Sequence, residues 1–124
     1  MSLQASFALA RGPLHLHLDL AVAAGETVAL VGPNGAGKTT CLHAVAGLLR
    51  IDRGAIALDG RTLDGGPQAP FLPPEQRGIG LLFQDHLLFP HQSALDNVAY
   101  GLVAAGMARA AARTQAAEWL GRMG

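Results

Sequence analysis

The chain has 124 residues, half of them hydrophobic, and its nine basic side chains balance nine acidic ones. This neutral charge argues against electrostatic binding to nucleic acid or to an anionic membrane surface, since both need a basic excess. The single cysteine, Cys41, excludes an internal disulfide and a metal site built of several cysteines. No segment approaches the ~18 apolar residues that span a bilayer, and residues 1–10 lack the pattern of a signal peptide. We therefore expect a soluble, cytoplasmic globular protein.

The first two-thirds of the chain are patterned mainly for strands. Leucines alternate with polar residues over 14–20, which is the two-residue period of a half-buried strand. Residues 27–31 form a continuous β-branched and aliphatic run instead, typical of a strand covered on both faces in a parallel sheet. Glycine-punctuated segments farther along predict strands at 55–58, 61–63 and 78–83.

Three helices are predicted. Apolar residues recur at helical spacing over 38–49. Ser93 followed by Asp96 resembles a capping box that opens a second helix toward residue 105, and Gly106 is placed to end it. The Ala- and Arg-rich segment 108–123 has high helix propensity. Strands that alternate with helices in this way indicate an α/β protein.

Residues 32–40 carry a phosphate-binding motif, G-P-N-G-A-G-K-T-T, which fits the pattern G-x-x-x-x-G-K-[ST]. Its glycines allow backbone angles that turn successive N–H groups inward, and the positive end of the following helix faces the same anion. Lys38, the only lysine of the chain, is expected to contact the β- and γ-phosphates, and the Thr39 hydroxyl to bind Mg²⁺. The alternative is an exposed lysine in an ordinary β-to-α turn. The predicted nucleotide-binding residues of the loop are Gly32, Pro33, Asn34, Gly35, Ala36, Gly37, Lys38, Thr39 and Thr40.

Two longer blocks narrow the class of phosphate-loop protein. One runs from G-E at 25–26 through the loop to A-G-L-L-R-I-D-R-G at 46–54, and the other is P-P-E-Q-R-G-I-G-L-L-F-Q-D-H-L-L-F-P-H at 73–91. Both resemble, in order and spacing, the nucleotide-binding subunit of ATP-binding cassette (ABC) transporters. The resemblance implies the N-terminal portion of an α/β P-loop NTPase domain that uses ATP and Mg²⁺. It places a core with an antiparallel β part at 1–92 and the start of a helical subdomain at 93–124.

The resemblance also assigns roles to individual residues. Gln84 matches the family's Q-loop glutamine, which contacts Mg²⁺ and the attacking water, so a catalytic and metal-binding role is implied; a polar residue that ends a strand is the alternative. His91 is expected to help shape a surface that faces a membrane subunit, and His86 to be solvated.

Adenine recognition is less clearly marked. The family stacks adenine on an aromatic residue near the end of its first strand, and the expected place here, residues 9–11, has none. Phe7 is the nearest candidate for adenine binding, with a plain core phenylalanine as the alternative. Arg11 could stack through its guanidinium plane instead.

Several family motifs do not occur within residues 1–124: the L-S-G-G-Q signature, the acidic strand, the catalytic glutamate and the later histidine. We therefore expect this polypeptide, although related to an ABC-type ATPase, to bind Mg·ATP weakly without hydrolysing it. Two interpretations remain open. The chain is the N-terminal part of an ATP-hydrolysing importer subunit, or it is a truncated nucleotide-binding module or inert gene remnant.

Segments L-F-P-H and P-P-E-Q-R-G-I-G resemble importers of small oxyanions, molybdate most of all, with sulfate, ferric iron and polyamine importers as close relatives. The resemblance implies integral-membrane permease subunits and a second copy of the ATP-binding subunit as partners. A solute-binding protein would be an indirect partner, and no nucleic acid is expected. The subunit would lie in the cytoplasm, peripheral to the inner face of the cell membrane.

Overall fold

The computed structural model describes residues 1–85 and 87–124, so His86 lies outside the described residues. The chain divides into two compact units, residues 1–81 and 82–124. The segment before the helix at 94–104 is held by that helix, because the Asn97 side chain bonds to the backbone of Phe89 and Gln92. The predicted division into residues 1–92 and 93–124 stays a prediction.

An antiparallel four-stranded sheet forms one side of the first unit. Its strands are β1 (Leu3–Arg11), β2 (Leu14–Val22), β3 (Arg53–Leu58) and β4 (Arg61–Asp64), in the spatial order β2-β1-β3-β4. Strands β1 and β2 form a hairpin in which Phe7 pairs with Leu18 and Arg11 with Leu14. The predicted strands at 14–20, 55–58 and 61–63 are thereby confirmed.

The core of the first unit lies where helix α1 (Lys38–Ala46) packs on the sheet. Side chains that alternate along β1 supply one part of it, because successive residues of a strand point to opposite faces. A short 3₁₀ helix, Pro74–Gln76, follows the sheet in the chain. The buried members of the core are Ala5, Phe7, Leu9, Ala44, Ile51, Ile56 and Leu63.

Two predicted strands are wrong. Residues 27–31 and 78–83 form no strand, and neither segment pairs with another strand within the described residues. Instead of being buried, Val31 is 88% exposed and Leu82 is 79% exposed. A strand hydrophobic on both faces needs hydrogen-bonded neighbours and covering layers to be stable. The described residues give these two segments neither strand neighbours nor covering layers, although the side-chain pattern of both segments favours a strand.

The second unit contains helices α2 (Ala94–Ala104) and α3 (Arg109–Met123). The Ser93 hydroxyl accepts a hydrogen bond from the Asp96 N–H at 3.1 Å, which confirms the predicted cap. Three alanines that the two helices bury against each other, Ala99, Ala112 and Ala116, let the helices approach closely. No helix within residues 1–85 and 87–124 is long and apolar enough to cross a membrane.

Candidate nucleotide-binding site

The phosphate loop has the backbone geometry that an anion nest requires. Gly35 and Gly37 adopt positive φ angles of 81° and 98°, a region that side chains disfavour. A Cβ on Gly37 would also lie 2.9 Å from the terminal methyl of Leu16, a side chain that can shift, so the backbone angle is the stronger reason for glycine here. The Ala36 N–H donates to the Pro33 carbonyl at 3.2 Å and closes the loop.

Helix α1 begins at the end of this loop without a capping side chain. Gly37 is its N-cap, no side chain hydrogen-bonds there, and the first turn contains no acidic residue. The first N–H groups of a helix have no intrahelical partners, and the helix dipole makes this end positive. The N–H groups of Lys38, Thr39 and Thr40 are therefore placed to bind an anion, with no carboxylate of the helix competing for them.

The ammonium group of Lys38 lies against its own loop. Its Nζ donates to the carbonyl of Gly32 and, at 3.0 Å, to the carbonyl of Pro33. These bonds keep a positive charge beside the helix N-terminus, at the position where the motif needs it. Because a carbonyl is a weaker partner than an anion, a phosphate could compete for the ammonium.

Together these groups line a cleft. It is formed by Leu14, Asn34, Gly35, Gly37, Lys38, Thr39 and Thr40. The structure thus brings six of the nine predicted loop residues to one cleft, while Gly32, Pro33 and Ala36 shape the loop through the backbone bonds described above. The arrangement fits a polyphosphate, since it combines a nest of amides, a helix N-terminus and a compact cation.

The same cleft fits Mg²⁺ only in company with a phosphate. Among residues 1–85 and 87–124, no group of three His, Cys, Asp or Glu residues could hold a metal ion by itself. Mg²⁺ is commonly bound by one or two protein oxygens together with substrate phosphates and water. Thr39, exposed at the mouth of the cleft, could supply such an oxygen.

Gln84, the other predicted metal and catalytic residue, belongs to the second unit. It lies in a turn and is exposed. Its neighbour in the chain, Asp85, is also exposed, and its backbone carbonyl accepts from the Leu87 N–H at 2.8 Å. The role that the resemblance implies for Gln84 stays a prediction.

Phe7 is not placed to stack on a base, which corrects the adenine-binding prediction. Its side chain is 2% exposed and belongs to the core, so neither face of the ring is open to a ligand. Phe7 is instead a core phenylalanine, which was the alternative to adenine binding. Alternation along β1 turns this residue inward with its neighbours two positions away. Arg11, the second candidate, already hydrogen-bonds to the carbonyls of Ala10 and Arg50 and to the Asp52 carboxylate.

Sequence reasoning missed a buried polar centre behind the site. Arg77 is 2% exposed and Asp64 is fully buried. Asp64 accepts hydrogen bonds from the N–H groups of Ile51 and Gly66, at 3.0 and 2.9 Å. Burial lowers the pKa of the Arg77 guanidinium, and the nearby Asp64 charge opposes that shift. The guanidinium donates to four backbone carbonyls, those of Ala44, Val45, Leu63 and Leu72.

This centre holds the C-terminal end of α1. Two of the carbonyls bound by Arg77, those of Ala44 and Val45, belong to the last turn of the helix, where carbonyls run short of helical donors. The Ala44 carbonyl also accepts from the Gly47 N–H at 3.2 Å. Gly47 ends the helix with a φ of 92°, and a Cβ there would lie 2.7 Å from the Arg77 Nε. The sequence signal for this centre is an arginine that lies between a proline-rich loop and a hydrophobic run. That signal does not identify the hydrogen-bond partners of Arg77, because they are distant in sequence.

Comparisons with known proteins identify the family that the chain resembles. The family described as ABC transporter matches residues 16–124. The iron(III) ions import ATP-binding protein FbpC of Streptomyces avermitilis is 45% identical over 86% of this chain and 29% of its own length. The molybdenum import ATP-binding protein ModC of Mycobacterium tuberculosis is 45% identical over 85% of this chain and 30% of its own. The chain thus spans about thirty per cent of the length of the curated relatives it matches.

A solved structure gives the same result for the fold. The dimeric ATP-binding cassette MJ0796, bound to ADP and Pi in a post-hydrolysis state, superposes with a TM-score of 0.72 at 25% identity. The match covers 95% of this chain and 55% of that one. It confirms the predicted fold class. With the family match over most of its length and the phosphate loop in place, this chain belongs to the ABC transporter family of ATP-binding domains.

Proposed function

We propose that this chain is the nucleotide-binding part of a subunit that couples ATP binding and hydrolysis to the import of a small solute through a membrane permease. The observation that carries the proposal is the cleft at the uncapped N-terminus of α1, where Lys38 and the loop amides converge. A polyphosphate is the ligand that such a combination of amides and ammonium recognises. ATP with Mg²⁺ is therefore the proposed ligand.

Isothermal titration of the chain with Mg·ATP tests the binding step. We expect weak binding, and we expect Lys38→Ala to lower the affinity about tenfold or more because a charged hydrogen-bond donor is lost. Lys38→Arg should also lower the affinity for Mg·ATP, since a planar guanidinium does not replace a compact ammonium in this loop. Arg53→Ala removes an exposed cation outside the cleft and serves as the matched control. No binding to the unmodified chain at millimolar Mg·ATP would contradict the proposal.

Hydrolysis is tested separately, by phosphate release. We propose that the 124-residue chain binds Mg·ATP without turnover, since its sequence lacks the signature and the acidic strand that follow in the family. Phosphate release that disappears in Lys38→Ala would show that the chain hydrolyses ATP by itself. That outcome would contradict the second interpretation of the sequence, in which the chain is a nucleotide-binding module without ATPase activity.

For the solute, molybdate or a similar oxyanion is our first proposal and ferric iron the second. The L-F-P-H and P-P-E-Q-R-G-I-G segments favour the oxyanion, while the molybdenum and iron import proteins are equally identical to this chain. Elemental analysis of cells in which the chromosomal gene carries Lys38→Ala distinguishes the two. A fall in cellular molybdenum with unchanged iron supports molybdate, and the reverse supports iron.

The proposed partners follow from the same coupling role. They are integral-membrane permease subunits and a second copy of the ATP-binding subunit, with a solute-binding protein as an indirect partner. The chain would then lie on the cytoplasmic face of the cell membrane. The MJ0796 cassette was solved as a dimer, which supports the second copy. Co-purification from membranes with a tagged permease encoded beside the gene would test this placement.

A further inference from the structure

Strand β2 directs two histidines, His15 and His17, away from the core and toward the outer face of the sheet. They are two residues apart, and successive side chains of a strand point to opposite faces, so both imidazoles stand on the same side. Both are exposed, whereas Leu16 and Leu18 pack against the core from the other face. The two rings are therefore neighbours on one open surface.

The surroundings leave these two imidazoles available as ligands. In the β1–β2 hairpin His15 pairs with Ala10 and His17 with Ala8, so the residues opposite them have the smallest side chains that carry a Cβ. Strand β2 is at the edge of the sheet, and no strand lies on its other side within the described residues. Neither ring makes a hydrogen bond or an ion pair with another described residue. Their nitrogens are therefore not committed to the fold.

The spacing of the pair suits a shared metal ion. Residues two apart on one face of a strand have Cα atoms about 6.7 Å apart. Two nitrogens that bind one Zn²⁺ at about 2.0–2.1 Å in tetrahedral geometry are about 3.3–3.4 Å apart. Each ring has to lean toward the other by less than about 2 Å, and the alanines opposite leave room for that movement.

The charges nearby also favour a cation. Asp19 is the next residue on the same face of β2 and is exposed. Asp52 lines the same groove as both imidazoles, and its charge is paired with Arg11 at 3.3 Å. The other cation of the groove, Arg53, is two strands from His17, about 10 Å between backbones, where water and salt screen its repulsion.

We propose that His15 and His17 form a two-imidazole binding site for a divalent transition metal ion, Zn²⁺ or Cu²⁺. Imidazole suits these ions, whereas Mg²⁺ prefers oxygen ligands. No group of three His, Cys, Asp or Glu residues in 1–85 and 87–124 could hold a metal, so water would fill the remaining positions and the ion would exchange. The site is on the opposite face of β2 from Leu14 and Leu16, which lie beside Gly37 of the phosphate loop. It does not depend on the nucleotide-binding function proposed above.

Isothermal titration of the chain with Zn²⁺, without nucleotide, tests the site. We expect one Zn²⁺ per chain, and we expect His15→Ala and His17→Ala each to lower the affinity about tenfold or more, because a chelate becomes a single ligand. His91→Ala removes an exposed histidine of the second unit and is the matched control, which should leave the affinity unchanged. Mg²⁺ should not compete with Zn²⁺.

Copper gives a second, structural measurement. Cu²⁺ should bind more tightly than Zn²⁺, and its electron paramagnetic resonance spectrum should show coupling to two imidazole nitrogens. Either alanine variant should reduce that coupling to one nitrogen. Because both histidines are exposed, we expect these variants to fold, which a circular dichroism melt checks. His15→Gln and His17→Gln keep a polar side chain of similar size and replace an alanine variant that does not fold.

Three results would overturn the proposal. One is a chain that does not bind Zn²⁺ at millimolar concentration. Another is a variant without both histidines that binds Zn²⁺ as tightly as the unmodified chain, since the ion would then bind elsewhere. The third is an equal loss of affinity in His91→Ala, because binding would then depend on histidines in general. Since the titration contains no nucleotide, a failure of Mg·ATP binding would leave this proposal unaffected.

Discussion

Replacing Arg77 by methionine should lower the free energy of unfolding of the first unit by about 3–5 kcal/mol. Methionine retains the unbranched apolar stem of the side chain but removes its charge and every hydrogen-bond donor. Arg77 is 2% exposed, so water cannot readily replace those donors in the folded state. The change therefore tests whether the buried polar centre stabilises the end of α1.

The magnitude follows from the contacts. Arg77 donates to four carbonyls, but those of Ala44 and Leu63 also accept from backbone N–H groups and would retain a partner. The carbonyls of Val45 and Leu72 would lose the charged donor that the structure gives them, at 3.0 and 2.7 Å. A buried polar group left unsatisfied costs about 1–3 kcal/mol, and these two carbonyls are only partly buried, so each lies toward the low end of that range. The Asp64 charge would also lose its nearby cation, and the new apolar contacts would offset part of the sum.

Urea denaturation followed by circular dichroism measures the effect, and a thermal melt gives a second reading. A loss of 3–5 kcal/mol corresponds to a fall of about 12–40 °C in Tm for a domain of this size. The matched control is Arg61→Met, because Arg61 is exposed and makes one long hydrogen bond, 3.5 Å to the carbonyl of Gln76. That variant should lie within about 0.5 kcal/mol of the unmodified chain.

A different result would refute the reasoning. If the free energy of unfolding of Arg77→Met lies within about 1 kcal/mol of that of the unmodified chain, the four hydrogen bonds contribute no more than surface hydrogen bonds do. Should Arg77→Met be too unstable to purify, Arg77→Lys provides a milder test. Lysine retains the charge but loses the planar fork, so it should be intermediate between methionine and arginine. A lysine variant as unstable as the methionine variant would show that charge contributes nothing.

Three further predictions concern other parts of the chain. Burial raises the pKa of the Cys41 thiol, so a thiol reagent at pH 8 should modify it slowly in the folded protein and rapidly in urea; rapid modification of the folded protein would contradict this. The Ala10 N–H, and then Arg11, lowers the pKa of the Asp52 carboxylate. Asp52 therefore contributes stability above its unfolded-state pKa and loses it as pH falls through the lower folded value, so Asp52→Asn should reduce the acid dependence of the urea midpoint, and an unchanged dependence would refute it. Ser93→Ala should destabilise α2 by about 1 kcal/mol because the cap is lost, whereas Ser93→Asp should retain stability; equal helix content in both variants would argue against the cap.

Features that depend on neighbouring residues were determined by the sequence itself. The phosphate loop is one, because the positive φ angles of Gly35 and Gly37 and the start of α1 require particular residues at fixed local spacing. The cap of α2 by Ser93 is another, since its acceptor and donor are three residues apart. The alternating leucines of β2 likewise predict which side chains face the core.

Features that join distant residues were decided by the tertiary structure. Periodicity could not show that Phe7 is enclosed in the core while Leu14 lines the cleft, because both are apolar residues of neighbouring strands and their surroundings depend on packing. Nor could it show that Arg77 reaches the end of α1, over thirty residues earlier in the chain. The run at 27–31 illustrates the converse: its composition favours a buried strand, yet a strand forms only where another segment supplies its hydrogen bonds. Local chemistry therefore determined the geometry of the phosphate loop, and packing decided which side chains surround it.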